Sequence, residues 1–435
     1  MSNYIEKVTD SLSNQISELS ENPTLFLKNP QKDFTRNRKI DFKTLIGITM
    51  NSGGGTMSKE LLDYFDFDVN TPTVSAYTQQ RSKVLPEEFE YLFKTFTKEN
   101  LPSQNKYHGF RLIACDGCNL SIATNPNDPE TAWKNNQFGG VMNKFHLNAF
   151  YDVFNRIYTD VLIQTASEYN EARACITMLK KSTMNNVILV ADRGYENYNI
   201  MAHAINKGWK FAIRIKDINS NGIASALVLP KSNEFDTDIT LTFSRKNTKA
   251  TRQAGYKWMP ANQMFDFLPP KSEKTYTLSF RIVRFPIGED SYEVIVTNLD
   301  RFQFSAENIK EIYHLRWGIE TSFRELKYAI GLTSFHARKP DYIKQEIYAR
   351  LLLYNYCELI TTHIVNQMKN KDKTKQVNFT VAIYICREYL RQKRNIRPPD
   401  VIKLIEKYIL PVRPNRTEPR KVKPQASVSF LYRVA

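Results

Sequence analysis

The chain has 435 residues, 42% of them hydrophobic and 12% aromatic, which supports sizeable buried cores and excludes a disordered polymer. Its 61 Lys and Arg against 45 Asp and Glu leave a formal charge of +16, so a polyanion is the natural partner, either nucleic acid or an acidic membrane surface. No run reaches the roughly 18 apolar residues of a membrane-spanning helix.

Residues 1–7 lack the basic-then-apolar pattern of a secretory signal. Residues 1–105 read as helical, with apolar residues at helical spacing and a Gly-rich break at 51–56. Within them Thr73 heads a capped helix running to Arg81, whose polar side chains suit either DNA or a solvated surface. From 106 to 216 the rhythm changes. Short apolar runs at 111–115, 145–153, 161–165, 187–191 and 211–215 predict strands alternating with helices, which is an α/β layer. Residues 217–299 are rich in Thr, Ser, Val and Phe and predict a β insertion, with strands at 239–243 and 276–283.

Residues 300–365 return to helix. There the richest apolar run, 351–357, is short and interrupted by Asn355. Residues 366–435 form a helical region and a basic tail carrying Arg413, Arg416, Arg420, Lys421 and Lys423 among prolines. Five scattered cysteines predict reduced thiols in a cytoplasmic protein. Cys115 and Cys118 are spaced as C-x-x-C, but no second Cys or His pair lies at zinc-ligand spacing, which favours two free thiols.

Two aspartates follow buried-type strands, Asp116 after 112–115 and Asp192 after 188–191. Gly117 and Gly194 behind them predict tight turns that leave each carboxylate at the sheet's C-terminal edge, where α/β proteins place their sites. Either aspartate alone reads equally well as a turn former or helix cap. A third acidic residue carries more information. Read as one straight helix, 311–328 puts Tyr313, Arg316, Glu320 and Lys327 on a stripe about 60° wide, beside a buried face of Ile312, Leu315, Ile319, Phe323 and Leu326. Arg316 and Glu320 alone are an ordinary i,i+4 pair, which leaves Tyr313 and Lys327 unexplained. A carboxylate for a metal, with cations and a phenol for phosphates, accounts for all four.

The spacing Tyr313, Arg316, Glu320, Lys327 resembles the tyrosine–arginine–glutamate–lysine signature of the insertion-sequence-four family of bacterial DDE transposases. Asp192-Arg193-Gly194-Tyr195 and Asp116-Gly117 are similar to that family's two aspartate motifs, and residues 335–340 also fit. Cys118 stands where such enzymes often have Thr or Ser. The resemblance covers most of 106–365 and only loosely the rest.

It implies a ribonuclease-H-like core (mixed sheet flanked by helices) over 106–216 and 300–365. The β insertion at 217–299 would interrupt that core, with a helical N-terminal DNA-binding domain at 1–105. It implies that Asp116, Asp192 and Glu320 are catalytic and bind two Mg²⁺ ions per active site, with Mn²⁺ as a substitute. Tyr313, Arg316 and Lys327 would hold DNA-end phosphates, and Arg193, Arg214 and Lys216 are candidates for further backbone contacts. Trp258 is the insertion's candidate for stacking on an extruded base, set against a place in the core. The implied activity is cut-and-paste transposition by a hairpin route in the bacterial cytoplasm at the nucleoid. The partners would be double-stranded DNA (terminal inverted repeats and target DNA) and a second copy of the chain, with no membrane. A host nuclease and an inactive DNA-binding relative are the rival readings.

Overall fold

The computed structural model describes residues 2–134, 141–369, 375–391 and 397–411. The basic tail with Arg413, Arg416, Arg420, Lys421 and Lys423 lies outside the described residues. The first hundred residues form helices α1 (Ser2–Glu21), α2 (Phe42–Asn51), α3 (Met57–Tyr64), α4 (Val74–Arg81) and α5 (Glu87–Glu99). Their starts are chemically marked: the side chains of Asp41, Thr56 and Thr73 accept from backbone amides in the first turns of α2, α3 and α4.

The chain then enters β1 (Arg111–Ser121), β2 (Ala132–Lys134), β3 (Val141–Asp152), β4 (Ile157–Gln164), α6 (Glu171–Lys181), β5 (Val187–Ala191), α7 (Tyr198–Asn206) and β6 (Lys210–Ile215). The β-rich stretch follows as β7 (Phe235–Ser244), the short α8 (Lys249–Gln253), β8 (Lys257–Trp258), β9 (Thr275–Gly288) and β10 (Ser291–Thr297). The remaining elements are α9 (Ala306–Leu315), α10 (Trp317–Arg324), a π-helical turn (Glu325–Ala329), α11 (Pro340–Lys369), β11 (Lys375–Val377), α12 (Phe379–Arg391), α13 (Val401–Lys407) and β12 (Ile409–Pro411).

Among the described residues, ten strands form one mixed sheet in the order β2-β3-β1-β5-β6-β10-β9-β7-β8, with β4 on the free side of β3. β3 runs antiparallel to both β1 and β4, while β5 and β6 run parallel to β1. That order, β4-β3-β1-β5-β6, is the ribonuclease-H-like arrangement. The β insertion does not form a separate layer: β10 pairs antiparallel with β6, and β9 and β7 extend the same sheet outward.

Side-chain alternation divides the sheet's buried residues between its two faces. Ile113 and Cys115 of β1 pack with α6 and α7 on one face. Ala114 and Cys118 pack on the other with Ile319, Phe323 and α11. The two cysteines of the C-x-x-C therefore point to opposite faces, and all five cysteines are free and buried. β5 is buried throughout, as its unbroken Val-Ile-Leu-Val-Ala run requires.

α11 joins the N-terminal helices to this core. Its residues 351–357 are buried on every side, and Asn355 is the reason a polar residue interrupts them. Its amide donates to Thr97 Oγ1 and to the Tyr158 carbonyl at 2.8 Å each and accepts from the Tyr158 amide at 2.9 Å. The side chain thus stands in for a neighbouring strand at the exposed side of β4. Among the described residues no helix is long and apolar enough to cross a membrane.

Candidate active site

The ladder between β1 and β5 ends at the pair Cys115 and Ala191. Beyond it β5 stops, and Asp192 is the next residue. β1 continues to Ser121, held by β3 alone. Asp116 and Asp192 therefore stand side by side where the parallel pair opens, on the face that α10 covers. This corrects the expectation of two strand-end turns. Asp116 lies mid-strand, and Gly117 pairs with Asn148 in the ladder rather than turning. Gly117 is a glycine for another reason: a Cβ there would lie 2.3 Å from His146 Nε2. Asp192 does lead a turn. Its Oδ1 accepts from the Gly194 amide at 2.8 Å, capping the short 3₁₀ turn Arg193–Tyr195.

The third carboxylate arrives across the sheet face. The straight helix expected over 311–328 is instead broken in two places. At Arg316, between α9 and α10, amide hydrogen bonds span three residues, and at Glu325 the ladder widens to a π turn. The single stripe of a straight helix therefore does not apply, yet Tyr313, Arg316 and Glu320 still meet across the break, and Lys327 lies beside Cys118. Arg316, 4% exposed, donates to Glu320 Oε1 at 2.8 Å and stands 3.8 Å from Asp116 Oδ2. Its plane lies near the rings of Tyr313 and Trp317, 5.5 and 5.4 Å from their centroids. Arg316 Nε and the Tyr313 hydroxyl are buried without a hydrogen-bond partner. Lys327 rides on the π turn, which Glu325 anchors to Arg156 at 3.2 Å and to the Tyr354 hydroxyl at 3.1 Å.

The electrostatics report the same convergence. The Asp116 carboxyl is pushed up to about 7, chiefly by burial. The Gly117 amide and Arg316 pull it down, while the charges of Asp192 and Glu320 push it further up. Two residues along β1, burial raises the Cys118 thiol to about 11, with Lys327 pulling against it. Lys327 thus sits beside Cys118, on the Asp116 face. Burial raises the Tyr313 phenol, with Arg316 and Arg214 opposing.

The peripheral candidates divide. Arg214 faces Glu293 at 3.4 Å. Arg193 and Lys216 line one depression of about 340 Å³ with Glu196, Tyr198 and Lys257. Glu196 accepts from the Lys216 amide at 3.0 Å and shapes its floor. Trp258, next to Lys257, is 50% exposed on the outermost strand, so it occupies no place in the core. On α4, Arg81 is not among the side chains open to DNA. It is buried, donating to Gln345 at 2.7 Å and Glu346 at 2.8 Å, and only Ser75, Thr78 and Gln79 of that helix's polar residues are exposed.

Glu171, His146 and Lys257 also border these positions, without a signal in the sequence that marks them. Glu171 opens α6 behind its cap Asn170, a helix start legible in the sequence, but nothing in the sequence says where that carboxylate ends up. His146 shows no motif at all, and only the pairing of β3 with β1 puts it opposite Asn119.

Whether this site suits metal ions turns on donors and distances. Asp116, Asp192 and Glu320 supply only hard carboxylate oxygens, the type that Mg²⁺ and Mn²⁺ prefer. Asp116 and Glu320 share one buried guanidinium, and the charges of Asp192 and Glu320 add to the burial that raises the Asp116 carboxyl, a cost a cation would relieve. Among the described residues no three such side chains are close enough to hold one ion as they stand. The donor set and the charge fit. Closing the ligands on an ion requires side-chain movement around Arg316.

The family described as "Transposase DDE domain" matches residues 107–356. The chain is 25% identical over 237 residues to "Putative transposase InsL for insertion sequence element IS186A" of Escherichia coli (strain K12), and equally to "Transposase for insertion sequence element IS421" of Escherichia coli. Each match takes in 49% of this chain and 60% of the relative's length. A piggyBac transposase synaptic complex with hairpin DNA aligns over 96% of this chain and 84% of its own, with a TM-score of 0.45 and 8% identity. The family match spans more than half of the chain, from just before β1 into α11, and takes in all three carboxylates; this chain belongs to the transposase DDE domain family.

Proposed function

We propose that the chain is the transposase of an insertion sequence, of the insertion-sequence-four type. It would cut DNA at the element's ends and join them to a target. The observation that carries this reading is the pairing of Asp116 and Asp192 at the end of the β1–β5 ladder, with Glu320 brought opposite through Arg316. A structural role does not call for three carboxylates gathered near one partly buried guanidinium, where burial lifts Asp116 to about 7 and the charges of Asp192 and Glu320 add to it.

Asp116, Asp192 and Glu320 are the residues that would hold Mg²⁺ or Mn²⁺. The bound ions would supply a nucleophilic hydroxide at neutral pH and charge stabilisation for the leaving 3′ oxygen. The chain's own residues do the rest. Arg316 presents a buried donor at Nε with no partner, which a phosphate oxygen on the DNA end would satisfy. Lys327 sits beside Cys118 on the same face and adds a second cation to that phosphate. Arg193, Lys216 and Lys257 extend the contact along the backbone, and exposed Trp258 offers a stacking surface for an unpaired base.

In the hairpin route that the resemblance implies, the freed 3′-hydroxyl attacks a phosphodiester of the opposite strand and expels the flanking 3′ oxygen as its hydroxyl. Two ends must be handled together, which asks for two copies of the chain on DNA. The test is excision from a plasmid bearing the coding sequence with its native flanks. Mg²⁺-dependent release of the element, with closed hairpin ends on denaturing gels, supports the reading. Degradation of arbitrary duplex without joining would favour the host nuclease instead.

A further inference from the structure

We propose that Glu171, oriented by His146, is a positioning residue that ties together the backbone segments carrying Asp116 and Asp192. This rests on the reading of those two aspartates as the metal-binding pair. The β1–β5 hydrogen bonds end one residue before both of them, so the sheet itself no longer fixes their separation. Glu171 occupies the gap from the opposite face. A Cβ on Gly117 would lie 3.0 Å from its Oε1, and one on Gly194 would lie 3.4 Å from its Oε2. One carboxylate therefore spans both aspartate motifs, with one oxygen against each glycine.

The helix cap places Glu171, and the His146 side chain stands against its carboxylate. Asn170 caps α6 by accepting from the Arg173 amide at 2.9 Å, which sets Glu171 at the helix start. His146 Nε2 lies 3.0 Å from Glu171 Oε1 as a close contact without a hydrogen bond, and the opposite ring nitrogen is hydrogen-bonded to Asn119 Oδ1 at 3.0 Å. The ring is almost fully buried and stands edge-on to Tyr169, with centroids 4.7 Å apart. Any side chain at 117 would strike His146 at 2.3 Å, so the glycine of the first aspartate motif admits this pair to the back of the strand. Residues that orient metal ligands from behind commonly matter about 10- to 100-fold in metal affinity.

Direct Mn²⁺ titration of the full chain, followed by paramagnetic resonance without DNA, tests this apart from activity. Glu171→Ala and His146→Ala are expected to weaken Mn²⁺ binding by about 10- to 100-fold, while Glu171→Gln, which keeps the shape, stays within about threefold of the wild type. In cleavage of end DNA, Glu171→Ala should lower kcat and leave KM unchanged. Wild-type Mn²⁺ affinity in Glu171→Ala overturns the proposal. A loss in Glu171→Gln as deep as in Glu171→Ala also overturns it, because the charge alone would then be acting. If Glu171→Ala does not fold, Gly117→Ala carries the same test, since it displaces the pair without removing it, and unchanged affinity there is equally fatal. Asp116→Asn separates the two levels. If it binds Mn²⁺ normally, the metal-site reading itself fails; if it loses the ion while Glu171→Ala does not, only the tie fails.

Discussion

The guanidinium of Arg316 stands 3.8 Å from the Asp116 carboxylate across the gap between β1 and the α9–α10 break. It donates at the same time to Glu320 at 2.8 Å, so one planar cation faces two carboxylates from different elements. In Arg316→Ala both lose their counter-charge, and the unpartnered Nε donor disappears. Cleavage of end DNA should fall about 100-fold, and Arg316→Lys should recover little of it, because a single ammonium cannot make the forked contact. Single-turnover rates at saturating DNA check this. Full recovery by lysine would show that charge alone suffices.

Removing a carboxylate should act differently from removing the arginine. Asp116→Asn, Asp192→Asn and Glu320→Gln should each cut Mg²⁺-dependent cleavage by more than about 10³-fold, and double substitutions should lose little more, because residues acting as one unit are not additive. Gel-shift affinity for end DNA should stay near the wild type. A variant among the three that cleaves normally loses its place in the site.

How much of this was legible in the sequence follows from what is local. The β5 run and its aspartate could be read directly, because a fully buried strand needs an unbroken apolar run and a strand end needs a turn. Asp116 was legible as a residue but not in its setting: β1 continues past it only because β3 pairs with it through Ser121, a partner set by tertiary structure. The Tyr313–Lys327 stripe assumed a straight helix. The break at Arg316 and the π turn at Glu325 depend on contacts with Asp116, Arg156 and Tyr354, none of which lies nearby in the chain. Glu171 and His146 could not be found at all, because their role exists only where α6 meets the back of β1.

Arg193, Lys216 and Lys257 share one depression, so their effect on DNA should be electrostatic and indifferent to sequence. Each alanine substitution should reduce the slope of log affinity against log salt by about one and weaken specific and random duplex alike. Affinities measured from low to moderate salt decide this. A loss confined to the element's own ends would mean base reading instead.

Arg81 makes the opposite prediction. Its guanidinium is buried against Glu346, Gln345 and the Tyr342 carbonyl, and together with His336 and Arg350 it holds the Glu346 carboxyl well below the ordinary carboxylate range against its burial. Arg81→Ala leaves Glu346 with Arg350, 3.3 Å away, as its remaining guanidinium, and should cost about 3 kcal/mol of stability. The salt slope of DNA binding should not change. A folded, stable Arg81→Ala chain with a reduced slope would mean that Arg81 itself reaches DNA.

Glu88 lends the stability of the chain a pH dependence of its own. The side chain is 0% exposed on α5, and neither carboxylate oxygen has a hydrogen-bond partner. Burial alone pushes its carboxyl up to about 8. The folded value lies above the ordinary one, so the folded chain keeps a proton that the unfolded chain gives up. The stabilisation linked to that proton is fully present below the ordinary carboxylate value, near 4.5, and is lost as pH rises through about 8. Across that window one retained proton changes stability by about 1.4 kcal/mol per pH unit. Glu88→Gln carries no charge to desolvate, so its unfolding midpoint in urea should lose this component of the decline between pH 5 and pH 8, in units of about one proton, and exceed the wild type at the alkaline end. Parallel curves for the two proteins across that range would show that Glu88 reaches a counter-charge or water in solution.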